Sequence, residues 1–364
     1  MSYATILLFF LYTWGLGYSA TSLVKQPKNP FERNIMRIGI GLGTLAILLI
    51  ILNLLHIPLD WKIVLGISLI PPIIIGIKNK SLFKAPKLTF NKATIYIVIV
   101  TLISIGTLFM HHKGSFSYPY FEDTDPWEHG LGTKFVANEK TLNMPEHVPD
   151  GYLAYISPYP PGYDAIMGIL HQTSPSLIWT IKFFNALIIS LAILFFFFFA
   201  KLFIGNSNKA LISTFVFAMI PSFLSHFIWA HALAVVLFFP MMYCIEKMQQ
   251  DKKWIIPSIL IIAAIWVSQP TQPIKIAVLL GIYLLFKSIS QKKIRWDIIA
   301  AQIGGILLSF TWWAFHLGAM FKKGVKSSAD TASLLTRIQN RFSPGSGTAS
   351  RSYTFDDFFI TNHA

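Results

Sequence analysis

Apolar residues run along this chain in ten blocks divided by short polar stretches: 3–23, 36–55, 61–77, 93–110, 177–200, 210–225, 229–245, 254–268, 274–287 and 297–316. Blocks such as Ile38–Leu55 and Ile178–Ala200 approach or exceed the roughly 20 residues a helix needs to cross a bilayer. The pattern predicts an all-α, polytopic transmembrane helical bundle of about ten spans. The blocks 254–268 and 274–287 are short, so nine or eleven spans also fit. The first block has no basic residue ahead of it, and Lys25 follows it. That order predicts a retained anchor with an outside N-terminus in place of a cleaved signal.

Charge between the blocks sets the expected orientation. The connection 24–37 carries Lys25, Lys28, Arg33 and Arg37, and 78–92 carries Lys78, Lys80, Lys84, Lys87 and Lys92 with no acid. The stretches 201–209, 246–253 and 287–297 are also net basic, so all five are expected on the cytoplasmic side. Segment 111–153 is the reverse, with seven acids against three lysines. Alternation puts it outside together with 56–60, 226–228, 269–273 and the tail 317–364. The expected placement is a plasma membrane with the acidic loop on the non-cytoplasmic side. All ten histidines fall at or beyond the outer ends of spans.

Composition agrees: 54% of 364 residues are hydrophobic, 13% are charged, and mean hydropathy is +0.57, whereas soluble domains are about a quarter charged. The net charge of +14 lies between spans, where it contacts anionic head groups, and forms no stripe for nucleic acid. The one cysteine, Cys244, sits inside a span, so no intrachain disulfide orders the outer loops.

Candidate chemistry concentrates in that outer face. Tyr120–Gly130 reads YFEDTDPWEHG, placing Glu122, Asp123, Asp125, Glu128 and His129 within eight positions. Carboxylates so close repel one another unless they hold a cation. Asp123 and Asp125 could bind Mg²⁺ or Mn²⁺ through oxygen, or one could orient a nucleophile. The same residues also spell a helix start, with Asp125 as N-cap, Pro126 at the first position and Glu128 at the third. Ser157–Asp164, SPYPPGYD, predicts an extended approach followed by a helix along the interface. Pro221–His231 brings His226 and His231 to a tight turn, as an aromatic-belt anchor, metal ligands or a proton shuttle. Gln269 and Gln272 mark a polar outer turn. Lys182, Asn185 and Lys275 lie near outer span ends, where lysines either snorkel or seat a lipid phosphate.

Together these segments resemble the GT-C superfamily of membrane glycosyltransferases. The run Asp123-Thr124-Asp125-Pro126-Trp127 is most similar to the first outer loop of oligosaccharyltransferase catalytic subunits of archaeal and eukaryotic type. The likeness covers 93–316, a membrane core with outer loop 111–176. Residues 1–92, with three spans, fall outside it, and 317–364 forms an outer tail, read as a truncated segment. Two departures stand out. Ser225–His231 holds no acid where the family carries its second acidic motif, and the family's WWDYG motif does not occur.

The resemblance implies a polyprenyl- or dolichyl-linked sugar donor, a protein or glycan acceptor on the outer face, and a divalent metal. Asp125 matches the catalytic acid, with Asp123 beside it. A metal would use Asp123 and Asp125, helped by His226 or His231. Alternatively, Asp125 acts directly on the acceptor. In such a mechanism Glu122, Glu128 and His129 would border the substrate, Tyr159 or Tyr163 would stack on the sugar, Lys182 and Lys275 would clamp the phosphate, and a loop such as 317–364 would close over the site. Two rivals stand beside this reading. One is a GT-C enzyme moving single sugars onto envelope lipid, polymer or protein hydroxyls. The other is a transporter or flippase of lipid-linked substrate, which would place polar groups near mid-membrane.

Overall fold

The computed structural model describes residues 2–78, 92–145, 153–220, 223 and 228–326, the last seven as backbone only. Residues 1–316 and 317–364 form two separate units, and of the second only residues through 326 are described. The described residues are helical, with no strand among them.

Ten helices fall on the ten predicted blocks: α1 (Tyr3–Ala20), α2 (Pro30–Leu54), α3 (Trp61–Lys78), α4 (Lys92–Ser115), α7 (Leu177–Ile204), α8 (Ser207–Ala218), α9 (Ala230–Lys247), α10 (Ile255–Ser268), α11 (Gln272–Gln291) and α12 (Trp296–Lys326). Two shorter helices, α5 (Thr124–Glu139) and α6 (Gly162–His171), lie between α4 and α7. Seven helices (α2, α3, α4, α7, α9, α11 and α12) are long and apolar enough to cross a membrane. Ten helices thus fall on the predicted blocks, but among the described residues seven, not about ten, qualify as spans by length and composition. With 12 and 14 residues, α8 and α10 rise only ~18 and ~21 Å, short of a ~30 Å hydrocarbon core. α1 reaches 18 residues but dilutes its apolar run with Tyr, Thr, Trp and Gly.

Packing follows the small residues. α2, α7 and α9 form the buried centre, and α3, α4 and α11 present mostly exposed apolar faces. A Cβ added to Gly41 would stand 1.6 Å from the Thr13 carbonyl oxygen, and one on Gly17 would stand 1.8 Å from that of Arg37. α1 and α2 thus meet backbone to backbone, as membrane helices do where only small residues fit.

Contacts sort the connections into two ends. At one end Lys25 N–H donates to Asp251 at 2.8 Å, and Glu32 gathers Tyr243, Lys201 and Lys247. There too, Glu246 receives Lys287 at 3.0 Å. At the other end Leu59 N–H donates to the Lys140 carbonyl, Gln172 bridges Leu59 and Trp61, and Thr5 meets Thr173. The net-basic connections 24–37, 201–209, 246–253 and 287–297 meet at the first end; the stretch 78–92 lies almost wholly outside the described residues.

At the second end Lys140 and Asp60 pair at 2.6 Å. The Lys140 ammonium and the Lys62 backbone hold the Asp60 carboxyl below its usual range. A carboxyl depressed on folding stabilises above its unfolded value, about pH 4, and loses that stabilisation as pH falls through the depressed value. We expect thermal midpoints to drop more steeply on the acid side in wild type than in Lys140→Met. The effect should be small, since both partners touch solvent.

Candidate functional site

Helix α5 is capped by Asp123, whose carboxylate accepts from Thr124 N–H at 2.7 Å. The cap therefore lies two residues before the expected Asp125, and Pro126 stands third in the helix. The first four positions lack an intrahelical partner for their N–H, so proline at the third breaks no backbone hydrogen bond. This shift frees Asp125 from capping. Replacing Asp123 with Asn should leave folding and any activity near wild type, while Asp123→Ala should cost about 1 kcal/mol of stability through the lost cap. A thermal-denaturation comparison of the two checks this.

Asp125, half-buried on the first turn, accepts a hydrogen bond from the Tyr155 hydroxyl at 2.6 Å on Oδ1. The Tyr155 ring stacks on the His129 imidazole, with centroids 4.3 Å apart and planes 20° from parallel. His129 Nδ1 lies 2.7 Å from Asp164 Oδ1, with both side chains almost fully buried. The backbone N–H of Ala230 donates to His129 Nε2 at 3.3 Å. Since Nε2 accepts, the ring proton sits on Nδ1 and is donated to Asp164. One buried couple thus ties α5, α6 and the start of α9 together.

Helix α6 makes this possible. Pro160-Pro161-Gly162 delivers a helix start at Gly162, as expected, but the helix does not lie exposed along a surface. Gly162 through Leu170 are buried. The enclosure depends on glycine: a Cβ at Gly162 would meet Val267 O at 2.7 Å, and one at Gly168 would meet Val136 at 2.6 Å. Asp164 reaches the interior on this helix. Burial pushes its carboxyl above the usual range, against the pull of His129. Its Oδ2 has no hydrogen-bond partner among the described residues, and it lies over Gly132, where an added Cβ would approach it to 2.5 Å.

A second arm joins from the α10–α11 turn. The buried Gln269 amide donates to His231 Nε2 at 3.0 Å and to Thr271 Oγ1 at 2.9 Å, and reaches the Tyr159 hydroxyl. Tyr159 packs edge-on to Tyr155 at 4.6 Å. Burial, helped by the neighbouring carboxylates Asp125 for Tyr155 and Asp164 for Tyr159, raises both phenols well above their ordinary value. Tyr155 therefore stays a donor to Asp125 at any physiological pH.

The remaining predicted residues scatter in role. Tyr163 is 1% exposed and donates to Asn185 at 3.2 Å, so it braces the site from within and shows no face to a sugar. Lys182, equally buried, donates to the Tyr118 carbonyl at 2.6 Å and lies over Phe116. Glu122 is exposed within electrostatic reach of Lys182, and Glu128 is half-buried near Tyr155. Lys275 is exposed on the first turn of α11, within reach of His231. His226 and most of the tail lie outside the described residues. Among the described residues no three His, Cys, Asp or Glu side chains converge as metal ligands. Asp123 gives Oδ1 to its cap, and no step below is routed through a metal. Sequence reasoning did not single out Tyr155 or the pairing role of Asp164. Both lie in or just before the SPYPPGYD stretch, the one signal that pointed to them. No protein family, curated protein or solved structure matches this chain.

Proposed function

We propose that this chain is an integral-membrane glycosyltransferase of the GT-C kind, moving a sugar or oligosaccharide from a polyprenyl- or dolichyl-linked phosphate donor to a protein acceptor on the outer face. The observation that carries the reading is the placement of Asp125. It is a half-buried carboxylate at one end of an apolar helical bundle, with Oδ1 held by Tyr155 and polar groups from three other segments around it. Enzymes acting on lipid-anchored donors work where head groups lie, at a bundle end; a transporter would bring its polar groups to mid-membrane.

In this reading an acceptor N–H or O–H donates to the free Oδ2 of Asp125. The nucleophile attacks the anomeric carbon, its proton passes to the carboxylate, and the carbon–oxygen bond to the lipid phosphate breaks, the phosphate leaving with the electron pair. Tyr155 fixes the carboxylate by donating to Oδ1. Holding acceptor and donor in register lowers the barrier by an amount that reaches roughly 7–11 kcal/mol in well-aligned systems. The test is transfer of labelled sugar from a polyprenyl-phosphate or -pyrophosphate donor in proteoliposomes, with peptide, glycan and lipid acceptors offered in parallel. Product on peptide alone supports the protein acceptor, product on lipid or glycan alone moves the chain to the single-sugar class, and donor crossing the bilayer without transfer identifies a flippase.

A further inference from the structure

We propose that the His129–Asp164 couple is a positioning device for Asp125, acting through Tyr155; this rests on the catalytic reading of Asp125 above. Burying a histidine and an aspartate together is expensive unless each is held, because both polar groups leave water. Here the couple is bound on only part of its surface. Among the described residues Asp164 Oδ2 has no hydrogen-bond partner. What the couple does accomplish is orientation. Asp164 holds the imidazole at Nδ1 and Ala230 N–H holds it at Nε2, so a ring flip would break both bonds. The ring held in this way presents a flat face to Tyr155 at 4.3 Å and its edge to Tyr163 at 5.0 Å.

Tyr155 then has little freedom. Its face rests on His129, the ring of Tyr159 stands perpendicular to it, and its hydroxyl is directed at Asp125 Oδ1. The line Asp164–His129–Tyr155–Asp125 therefore runs from the buried helix α6 to the exposed start of α5. The start of α5 would otherwise fix Asp125 only through its own short side chain. His129 and Asp164 touch no substrate in this arrangement and are positioning residues.

Apolar replacement separates orientation from structure. Exchanging both members of a buried polar pair for apolar groups of like shape is often neutral or favourable for stability, whereas removing one leaves the other stranded. The double variant His129→Phe/Asp164→Leu should therefore fold, with a thermal midpoint lowered only as far as the Ala230 N–H that loses its acceptor requires. Its kcat for sugar transfer should fall by about 10- to 100-fold, the scale of a displaced reacting group, while KM for the donor stays the same. As a readout independent of turnover, 3-fluorotyrosine placed at position 155 should give a single ¹⁹F resonance in wild type. In the double variant and in Asp125→Ala the resonance should move or broaden. Asp164→Asn, made alone, keeps an acceptor for Nδ1–H and should retain both wild-type signals. A folded double variant with wild-type kcat, or with an unmoved fluorine resonance, overturns the proposal. If wild type transfers no sugar, the glycosyltransferase reading fails alone, and the fluorine arm still decides whether the couple orders Tyr155.

Discussion

Asp125→Ala should lower sugar transfer by about 10²- to 10⁴-fold, the contribution of a positioned proton acceptor, with donor binding little changed. Asp125→Asn should fall nearly as far, because an amide keeps the shape and the Tyr155 hydrogen bond but takes no proton. Tyr155→Phe should sit between, about tenfold down, since the carboxylate remains and only its orientation loosens. The series is informative because the neighbouring carboxylate serves as an internal control. Asp123 is exposed and committed to Thr124 N–H, so Asp123→Asn should transfer at a near-normal rate. Initial rates at saturating donor, scaled to folded protein, give each comparison directly. Full activity in Asp125→Ala would remove the assigned role. Equal losses in the Asp123 and Asp125 variants would point to a shared role of the whole acidic cluster.

The helices of the bundle were written plainly in the chain, because a long apolar run has few alternatives once its backbone must satisfy itself. Even the grouping of ends was legible from Lys and Arg counts: Lys25 meets the 246–253 connection and Lys140 meets the 56–60 turn. The site was legible only as a region. Tyr155 and Asp125 are 30 residues apart, His129 and Asp164 are 35 apart, and His231 and Gln269 are 38 apart. No local rule relates such pairs. They meet because Gly162 and Gly168 let α6 sink among its neighbours, and a PPG stretch read alone says only that a helix begins. Likewise Tyr163 and Lys182 have the right chemistry for substrate contact, but neighbours that periodicity does not reveal bury them. His129, taken as one member of an acidic surface loop, turns inward because Asp164 waits there.

The second large effect is expected far from that cluster, at Gly41→Ala. The added methyl would lie 1.6 Å from Thr13 O, 2.6 Å from Thr13 C and 2.7 Å from Gly17 N. All three are backbone atoms, so no rotamer change relieves the clash, and ordinary contact requires α1 to withdraw by well over 1 Å. Withdrawal also opens the adjoining seam, where Gly17 faces the Arg37 carbonyl. Overpacking usually costs about 1–3 kcal/mol, and a clash against rigid backbone belongs at or above the top of that range. Gly106→Ala on α4 and Gly281→Ala on α11 are matched controls, since nothing lies within 4 Å of either added Cβ. Both should be neutral or slightly stabilising through helix propensity, about 0.5–1 kcal/mol. Thermal denaturation in one detergent would rank the three. The damage should also reach the candidate site, because α1 anchors the α6–α7 connection: Ser2 and Thr5 donate to the Thr173 carbonyl at 3.2 and 2.9 Å. Transfer by Gly41→Ala should therefore fall with its stability, while the two controls retain wild-type rates. A Gly41→Ala protein that melts with wild type would mean that α1 and α2 do not meet at this seam.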